Sequence, residues 1–230
     1  MKVAALLSGG KDSVSSIHVA KSKGWEIKKN IIMKPENKDS WMYHRPNPEI
    51  PETQSKLMNI PYTTVKTKGE KEEELKPLKK ALKELKEKEE IEGFISGAIK
   101  SEYQKTRLEK IGKEVGLKSI CPLWKKDPDE IMEKQSKKEY RTIITKISSG
   151  ALDKTWLGRE INEETLKELK ELREKMKINI TGEGGEYETT VLKAPLFNGE
   201  IIVKKGKKKI ETPNRGIYRL KEIETRKKKT

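Results

Sequence analysis

Residues 3–13 read VAALLSGGKDS, an apolar run that leads into a glycine-containing turn. The apolar residues Val3–Leu7 predict a buried strand, and Asp12 or Ser13 has the kind of side chain that caps a helix. The two glycines between strand and helix let the backbone turn tightly and approach a ligand closely. The N–H groups of the first helical turn lack backbone partners, so they attract an anion. The segment therefore predicts a phosphate-binding loop.

The side chains of this loop suit the same ligand. Ser8 and Ser13 add hydroxyl donors, and Lys11 adds a positive charge. The loop is not a Walker loop, because Asp12 follows Lys11 and the spacing from Gly9 differs, and it is not a GxGxxG dinucleotide loop. An ordinary strand–turn–helix connection is the alternative. The complete hexapeptide SGGKDS at this position favours phosphate binding.

Short apolar runs alternate with amphipathic stretches in the first half of the chain, which is typical of a parallel α/β sheet. The five strands expected there are Val3–Leu7, Ile27–Met33, Tyr62–Val65, Phe94–Ala98 and Lys118–Cys121. The composition changes near Leu123–Asp127. We therefore predict a Rossmann-like nucleotide-binding domain over residues 1–124, built on a five-stranded parallel sheet. A smaller mixed α/β domain is expected over residues 125–230, ending in a basic tail.

The composition excludes several classes of protein. Of the 230 residues, 39% are charged and 32% are hydrophobic, and the formal net charge is +15. No run approaches the ~18 apolar residues of a membrane-spanning helix, and Val3–Leu7 is shorter than the apolar core of a secretory signal. The single cysteine, Cys121, excludes an intrachain disulfide and a multi-cysteine metal site. We therefore expect a cytoplasmic protein without a membrane association.

Positive charge is concentrated at the end of the chain. Residues 201–230 contain twelve Lys or Arg and three Glu, which gives +9 and leaves +6 for the rest of the chain. Such a tail attracts RNA or an acidic partner, whereas the alternative is a solvated tail that keeps the protein soluble. Both interpretations stay open, as does the formation of a homodimer.

A second segment that suggests chemistry, Gly182–Thr189, reads GEGGEYET. Three glutamates and a tyrosine among three glycines make an acidic, flexible loop within a basic protein. A carboxylate of this loop that helps to hold Mg²⁺ is one functional interpretation. The alternative is a polar turn between a helix and a strand, but three glycines and three acids are an unusual composition for a plain turn.

SGGKDS after the first strand resembles the PP-loop of the N-type ATP pyrophosphatases, which cleave ATP to AMP and pyrophosphate while adenylating a substrate. Gly182–Thr189 is similar to the signature of the diphthine–ammonia ligase family within that superfamily. The other similar segments follow in order: Pro35–Asn37 with Tyr43 and His44, Ser96–Ile99 with Tyr103, Gln104 and Arg107, Pro122–Trp124, and Leu152–Asp153 with Trp156–Arg159. Together they span residues 1–203, and the basic tail after about Lys204 lies outside them.

The resemblance implies an adenine nucleotide alpha hydrolase-like fold and a specific reaction. The family amidates diphthine, a modified histidine of translation elongation factor 2, with ATP and ammonium, and the products are diphthamide, AMP and pyrophosphate. Adenylation makes a poorly electrophilic carboxylate reactive towards ammonia. The enzyme's work is then to align the reactants and to neutralise phosphate charge. The rival functions are a PP-loop enzyme that adenylates a base oxygen of tRNA and a regulator that binds ATP without chemistry.

The resemblance also implies roles for individual residues. The expected ATP contacts are Ser8, Gly9, Gly10, Lys11, Asp12, Ser13, Met33, Gly97, Tyr103, Gln104 and Arg107, and Asp12 is the expected Mg²⁺ ligand. The expected catalytic residues are Lys11, Asp12, Glu183 and Glu186. The trimethylammonium group of diphthine needs negative charge, which is expected from Glu183, Glu186 or Glu188, and an aromatic face, which is expected from Tyr187. The full set of expected substrate-binding residues is Glu36, Tyr43, His44, Gly184, Gly185, Glu186, Tyr187 and Glu188. For Arg107 the alternative is a surface ion pair with a glutamate, and for His44 it is simple solvent exposure.

Overall fold

The computed structural model describes residues 1–35, 47–67 and 75–228 of the chain. The chain divides into two compact units, Met1–Lys125 and Lys126–Thr230. Among the described residues, no helix has the length and apolar character needed to cross a membrane.

Strands and helices alternate along the first unit. Its strands are β1 (Lys2–Leu6), β2 (Glu26–Pro35), β3 (Tyr62–Thr67), β4 (Gly93–Ile95) and β5 (Lys118–Ile120), and its helices are α1 (Lys11–Ser22), α2 (Ile50–Leu57), α3 (Leu75–Glu89) and α4 (Glu102–Val115). All neighbouring strands are parallel, and their order in the sheet is β3-β2-β1-β4-β5. The predicted five-stranded parallel sheet of Rossmann-like type is therefore confirmed.

The strand order changes direction between β1 and β4. From β1 the chain builds the sheet outward through β2 and β3, and it then returns to add β4 and β5 on the other side. Open α/β sheets bind ligands in the crevice beyond the carboxyl ends of the strands at such a switch point. The PP-loop, Ser8–Ser13, follows β1, and Ser96 and Gly97 follow β4. Both segments therefore lie at this edge of the sheet.

The core of the first unit joins the sheet to α3 and α4. One face of each helix is apolar at a spacing of three to four residues, and the cluster contains Leu75, Leu78, Leu82 and Leu85 of α3, Leu108, Ile111 and Val115 of α4, and Phe94 of β4. Burying each such side chain stabilises the fold by about 1.5–3 kcal/mol. Ser101 caps α4 by accepting a hydrogen bond from Gln104 N at 3.4 Å, and Gly116 follows its end in the left-handed region.

Two local features of the first unit differ from the sequence-based expectations. The expected cap at Asp12 or Ser13 is wrong, because α1 begins at Lys11 and extended Gly10 occupies the N-cap position. Helix α2 has no counterpart among the predicted helices. Its eight residues begin at Ile50-Pro51 and are too few to show a clear 3.6-residue apolar repeat.

The second unit combines an antiparallel sheet with helices. Its described elements are α5 (Pro128–Gln135), β6 (Arg141–Ser148), α6 (Glu163–Met176), β7 (Tyr187–Lys193), β8 (Gly199–Thr212) and β9 (Arg215–Lys227). The strand order is β7-β6-β9-β8, and each neighbouring pair is antiparallel. Ile144 and Ile147 of β6 pack with Leu166 and Leu169 of α6 in one hydrophobic cluster. The expected mixed α/β domain is confirmed.

The basic segment after Lys204 is part of this sheet, so it is not the solvated tail that one of the two open interpretations describes. β8 and β9 pair along most of their length, and Gly216 and Ile217 of β9 also pair with β6. Ile201 is fully buried, and Tyr218 packs against the hydrophobic cluster. The basic residues after Lys204 therefore lie mainly on two long paired strands, β8 and β9.

Candidate active site

The serines of the PP-loop hold the loop in shape. Ser13 Oγ donates to Gly10 O at 3.0 Å, and it accepts hydrogen bonds from Ser8 Oγ at 3.0 Å and from Ser8 N at 3.2 Å. Ser8 Oγ in turn accepts from Gly10 N at 3.3 Å. Gly9 has a φ of +87°, which strongly favours glycine. The loop is thus organised by its own residues before a ligand binds.

Lys11 and Asp12 form a charge pair at the start of α1. Lys11 Nζ lies 2.8 Å from Asp12 Oδ2, and only 3% of the Lys11 side chain is exposed, whereas Asp12 is partly exposed. A phosphate group that takes the place of this carboxylate beside Lys11 leaves Asp12 to face a cation. The pair therefore suits a phosphate ligand that carries a bound metal ion.

The donor set also limits how Mg²⁺ would be held. Within residues 1–35, 47–67 and 75–228, no group of three or more His, Cys, Asp or Glu side chains is placed to hold a metal ion. Mg²⁺ is commonly bound through one or two carboxylates together with substrate phosphates and water. Asp12 fits this mode of binding, in which the nucleotide supplies most of the ligands.

Gly97 lies directly against the start of α1. A Cβ atom added at Gly97 would lie 2.8 Å from Ser13 N and 2.9 Å from the carbonyl carbon of Asp12. Because both are backbone atoms, only glycine permits this approach. Next to it, Ser96 Oγ lies 3.3 Å from Cys121 Sγ at the end of β5. The fold therefore brings together the PP-loop and Gly97, two predicted ATP-binding segments that are distant in sequence.

Gln54 of α2 contacts the PP-loop through a hydrogen bond, and no motif in the sequence indicates this residue. Its Nε2 donates to Gly9 O at 2.9 Å, and its side chain is fully buried. Pro51 lies 3.1 Å from the position of a Cβ atom on Gly9. Ser55 donates to Pro51 O at 2.8 Å and accepts from Asn30 Nδ2 at 3.0 Å. The feature that marks Gln54 is a buried side-chain amide in a short helix. This feature can be recognised only in the folded structure, where α2 packs against the PP-loop.

The remaining predicted ATP residues have different surroundings. The Arg107 guanidinium lies 3.5 Å from the centroid of the Tyr103 ring, which is a stacking contact, and 38% of Tyr103 is exposed. Gln104 is half-buried in the first turn of α4. Met33 is only 2% exposed and packs in the same cluster as the leucines of α3, so it fills the interior of the unit. This placement disagrees with the expectation that Met33 lines the nucleotide site.

The segment Gly182–Thr189 begins as a tight turn before β7. Gly182 N donates to Asn179 O at 2.8 Å, and Gly185 N donates to Gly182 O at 3.0 Å. Glu186 Oε1 accepts from Asn179 N at 2.7 Å, so this carboxylate folds back onto the turn. A Cβ atom at Gly184 would lie 2.7 Å from the same oxygen. Glu186 therefore stabilises the turn, whose tip consists of half-buried Glu183 and the exposed Gly184 and Gly185.

Tyr187 and Glu188 point to opposite faces of β7, as successive strand residues do. Tyr187 is 3% exposed, its ring lies in the hydrophobic cluster, and its hydroxyl donates to Ile180 O. This disagrees with the expected cation–π face, because core side chains cover the ring. Glu188 Oε1 lies 2.7 Å from Lys146 Nζ on β6. Glu36, Tyr43 and His44 lie outside the described residues, so their substrate contacts stay predictions.

The segment Trp156–Arg159, which also resembles a family motif, has a structural contact with α6. The Arg159 guanidinium lies 4.5 Å from the centroid of the Trp156 ring and donates to Glu168 Oε2 at 2.8 Å. The hydrogen bond with Glu168 raises the pKa of Arg159, and the same bond lowers the pKa of Glu168. The motif therefore ties the loop after β6 to the helix that covers the sheet.

The fold and the loop after β1 define an α/β nucleotide-binding protein of the PP-loop type. Residues 1–119 match the family model of the diphthamide synthase N-terminal domain, and residues 127–225 match that of the diphthamide synthase C-terminal domain. The chain belongs to the diphthamide synthase, or diphthine–ammonia ligase, family.

Individual relatives agree with this assignment. The chain is 32% identical to the diphthine–ammonia ligase of Bos taurus and 31% identical to that of Homo sapiens, in both cases over 222 residues that cover 88% of this chain and 83% of the relative. A solved structure described as a predicted subunit of tRNA methyltransferase from Methanocaldococcus jannaschii aligns with a TM-score of 0.42 at 15% identity. The alignment covers 85% of this chain and 98% of the solved chain, and a similarity at this level supports no conclusion about function.

Proposed function

We propose that this chain catalyses the ATP-dependent amidation of diphthine on translation elongation factor 2, with ammonium as the nitrogen source. In the first step a carboxylate oxygen of diphthine attacks the α-phosphorus of ATP, which gives an acyl adenylate and releases pyrophosphate. In the second step ammonia attacks the acyl carbon, the bond to AMP breaks, and diphthamide and AMP are formed. Because this substrate takes part in translation, we place the reaction in the cytoplasm.

The observation that carries the proposal is the preorganised PP-loop at the switch point of a chain that matches the family in both of its units. The loop N–H groups and Lys11 are suited to the negative charge that develops on pyrophosphate as it leaves. Donors that are already in position stabilise such charge without a cost of reorganisation. Asp12 is the residue assigned to Mg²⁺, which when bound would neutralise part of the phosphate charge.

The cationic part of diphthine is assigned to the turn Gly182–Glu186. Glu186 acts within the turn, and Glu188 pairs with Lys146 within the sheet. Glu183 stands at the tip of the turn, beside the exposed Gly184 and Gly185. Because of this position at the tip of the turn, we assign Glu183 first to the trimethylammonium group.

The test is mass spectrometry of diphthine-bearing elongation factor 2 after incubation with this protein, ATP and ammonium. We expect conversion of the carboxylate to an amide, with AMP and pyrophosphate formed in equal amounts. ATP–pyrophosphate exchange is measured in parallel with the factor and with tRNA. Exchange that depends on tRNA, or the absence of exchange with either substrate, would contradict the proposal.

A further inference from the structure

The hairpin formed by β8 and β9 carries a cluster of positive charges on one face. In the regular part of their pairing, Lys207 lies opposite Arg219, and Lys209 lies opposite Ile217. Directly opposite residues of antiparallel strands project from the same face of a sheet. Lys207, Lys209 and Arg219, here called the ribbon cations, are therefore on one face.

The acidic residues of the hairpin neutralise other cations. Among the described residues, its ion pairs are Lys204–Glu224, Lys205–Glu222, Arg215–Glu211 and Arg226–Glu200. No carboxylate in this part of the chain pairs with a ribbon cation. Three positive charges of the hairpin without an ion-pair partner among the described carboxylates therefore stand together on the face that the ribbon cations share.

The opposite face of the same stretch is anchored to the second unit. The Tyr218 ring approaches Gly158, where an added Cβ atom would lie 3.5 Å from it, and Tyr218 also packs against the hydrophobic cluster. Lys208 Nζ donates to Lys154 O at 3.1 Å. The ribbon cations therefore project from a sheet that is packed against the rest of the unit. Binding of a partner to them costs less conformational entropy than binding to a flexible tail, because fewer residues become ordered.

A row of paired residues connects this face with Glu188, two residues after the turn assigned to diphthine. Lys209 pairs with Ile217, Ile217 with Lys146, and Lys146 with Glu188, across β8, β9, β6 and β7. Neighbouring strands lie about 4.8 Å apart, so the backbones of Lys209 and Glu188 lie roughly 14 Å apart across the sheet. The ribbon cations and Glu188 thus lie on the same face of one sheet.

We propose that the ribbon cations dock an acidic surface of the protein whose diphthine is amidated, and so steer it towards the turn Gly182–Glu186. This inference rests on the proposed function, because it takes the substrate to be a protein. Within the regular stretch, this face presents Lys207, Lys209 and Arg219 beside the buried Ile217, and the aromatic Tyr218 projects from the other side. Recognition of single-stranded RNA relies on exposed aromatic rings that stack with bases, which favours a protein partner here.

The test is a charge reversal in the full-length chain, Lys207→Glu with Lys209→Glu and Arg219→Glu. The matched control reverses three exposed lysines of α3, Lys80, Lys83 and Lys88, and changes the net charge equally. The association rate of diphthine-bearing elongation factor 2 is measured with each variant at ~20 mM and ~500 mM salt. Steering raises association rates by about 10- to 1000-fold, and salt screens it.

We expect the ribbon variant to associate about 10-fold more slowly than the wild type at ~20 mM salt, and the difference to disappear at ~500 mM. The α3 control should associate at the wild-type rate. Equal rates for the ribbon variant and the wild type would overturn the proposal, and so would an equal loss in the control. If the ribbon variant loses tRNA binding but associates with elongation factor 2 at the wild-type rate, the face binds RNA, and the docking proposal is overturned.

Two further measurements separate the possible failures. If thermal unfolding shows that the triple variant is misfolded, the double variant Lys207→Gln with Lys209→Gln replaces it, with an expected rate loss of about 3-fold at ~20 mM salt. Diphthine-dependent AMP release by the wild type tests the proposed function independently of association. Salt-dependent association without AMP release would contradict only the proposed function, and AMP release with unchanged association would contradict only the docking inference.

Discussion

Gln54 Nε2 donates a hydrogen bond to the carbonyl oxygen of Gly9 at 2.9 Å and thereby joins α2 to the PP-loop. The Gly9 peptide lies in a turn that requires a positive φ, and the buried amide fixes this peptide from outside the loop. Pro51 and Ser55 connect the same helix to Gly9 and to β2. Helix α2 therefore helps to position the phosphate-binding loop, although it contributes no residue to the motif.

Replacing Gln54 should weaken ATP binding more than it weakens the fold. Gln54→Met and Gln54→Leu both remove the donor, and Gln54→Met also keeps the length of the side chain. A buried acceptor left without its donor costs about 1–3 kcal/mol. We expect KM for ATP to rise about 10-fold in both variants, as measured by ATP–pyrophosphate exchange. Ser55→Ala is the control in the same helix, and it should lower Tm without changing this KM. An unchanged KM in both Gln54 variants would show that the contact does not position the loop.

Lys11→Ala should sharply reduce AMP formation and leave the protein folded. Lys11 is the buried cation of the PP-loop, and the loss of one preorganised donor of this kind costs roughly 3 kcal/mol in other enzymes. Single-turnover AMP formation is therefore expected to fall by two to three orders of magnitude, roughly. Lys21→Ala, at the exposed end of α1, is the control and should behave as the wild type. Wild-type turnover in purified Lys11→Ala would refute the assignment of the PP-loop.

Gly97→Ala should disturb the start of α1, because the new methyl group would lie 2.8 Å from Ser13 N. Overpacking against atoms that cannot move costs typically about 1–3 kcal/mol. We expect ATP affinity, measured by calorimetry, to fall about 10-fold or more. Gly150→Ala is the matched control, since no atom lies within 4 Å of a Cβ atom at Gly150. Equal ATP affinity in the two variants would show that the close approach of Gly97 has no role in nucleotide binding.

Glu186 and Glu183 should respond differently to loss of charge. Glu186→Gln keeps an acceptor for Asn179 N, so its Tm should match the wild type, whereas Glu186→Ala should lose about 1–3 kcal/mol of stability. Glu183→Gln should spare ATP binding and impair amide formation, since a charge lost from a desolvated pair costs about 2–5 kcal/mol.

The measurement is nucleotide affinity beside single-turnover amide formation for Gln at positions 183, 186 and 188. Glu188→Gln serves as the comparison, because its partner Lys146 is only partly buried. If all three variants lose ATP affinity and none loses affinity for diphthine, the turn belongs to the nucleotide or its Mg²⁺, and the substrate assignment is wrong.

The stability of the protein should fall at alkaline pH through Tyr140. Burial raises the pKa of its hydroxyl to about 12, whereas an unfolded tyrosine titrates near pH 10. Between these values the folded chain keeps a proton that the unfolded chain has lost, so the free energy of unfolding falls as pH rises, by up to ~1.4 kcal/mol per pH unit. Tyr140→Phe should remove this contribution in urea unfolding at about pH 9 and about pH 11. Parallel pH dependence of the two proteins would contradict it.

Much of the fold could be predicted because its signals are local. Short apolar runs predicted the five strands of the first unit, and each run overlaps one strand of the parallel sheet. Helix α2 could not be predicted in this way, because it is short and its stability comes from contacts that Pro51, Gln54 and Ser55 make with distant parts of the chain.

The predicted site residues also fall into two groups, those that depend on local sequence and those that depend on distant contacts. Ser8–Ser13 act through the backbone of a strand–turn–helix connection, whose shape depends on neighbouring residues, so the sequence alone indicates them. Met33 and Tyr187 were placed in binding sites by family resemblance, but both side chains lie in hydrophobic clusters. Which face of a strand is covered depends on the elements packed against it, and that information is not local.

The residue pattern alone indicates a phosphate-binding turn between a strand and a helix, a parallel α/β sheet behind it, and a strongly basic chain end. Three further features depend on how distant segments pack: Gln54 contacts Gly9, Glu186 stabilises its own turn, and the basic end pairs into the sheet. The physical reason is that a strand presents alternate residues to opposite faces, so a register shift of one residue exchanges the two faces. The side on which Lys207, Lys209 and Arg219 stand is therefore set by the pairing of β8 with β9 and of β9 with β6.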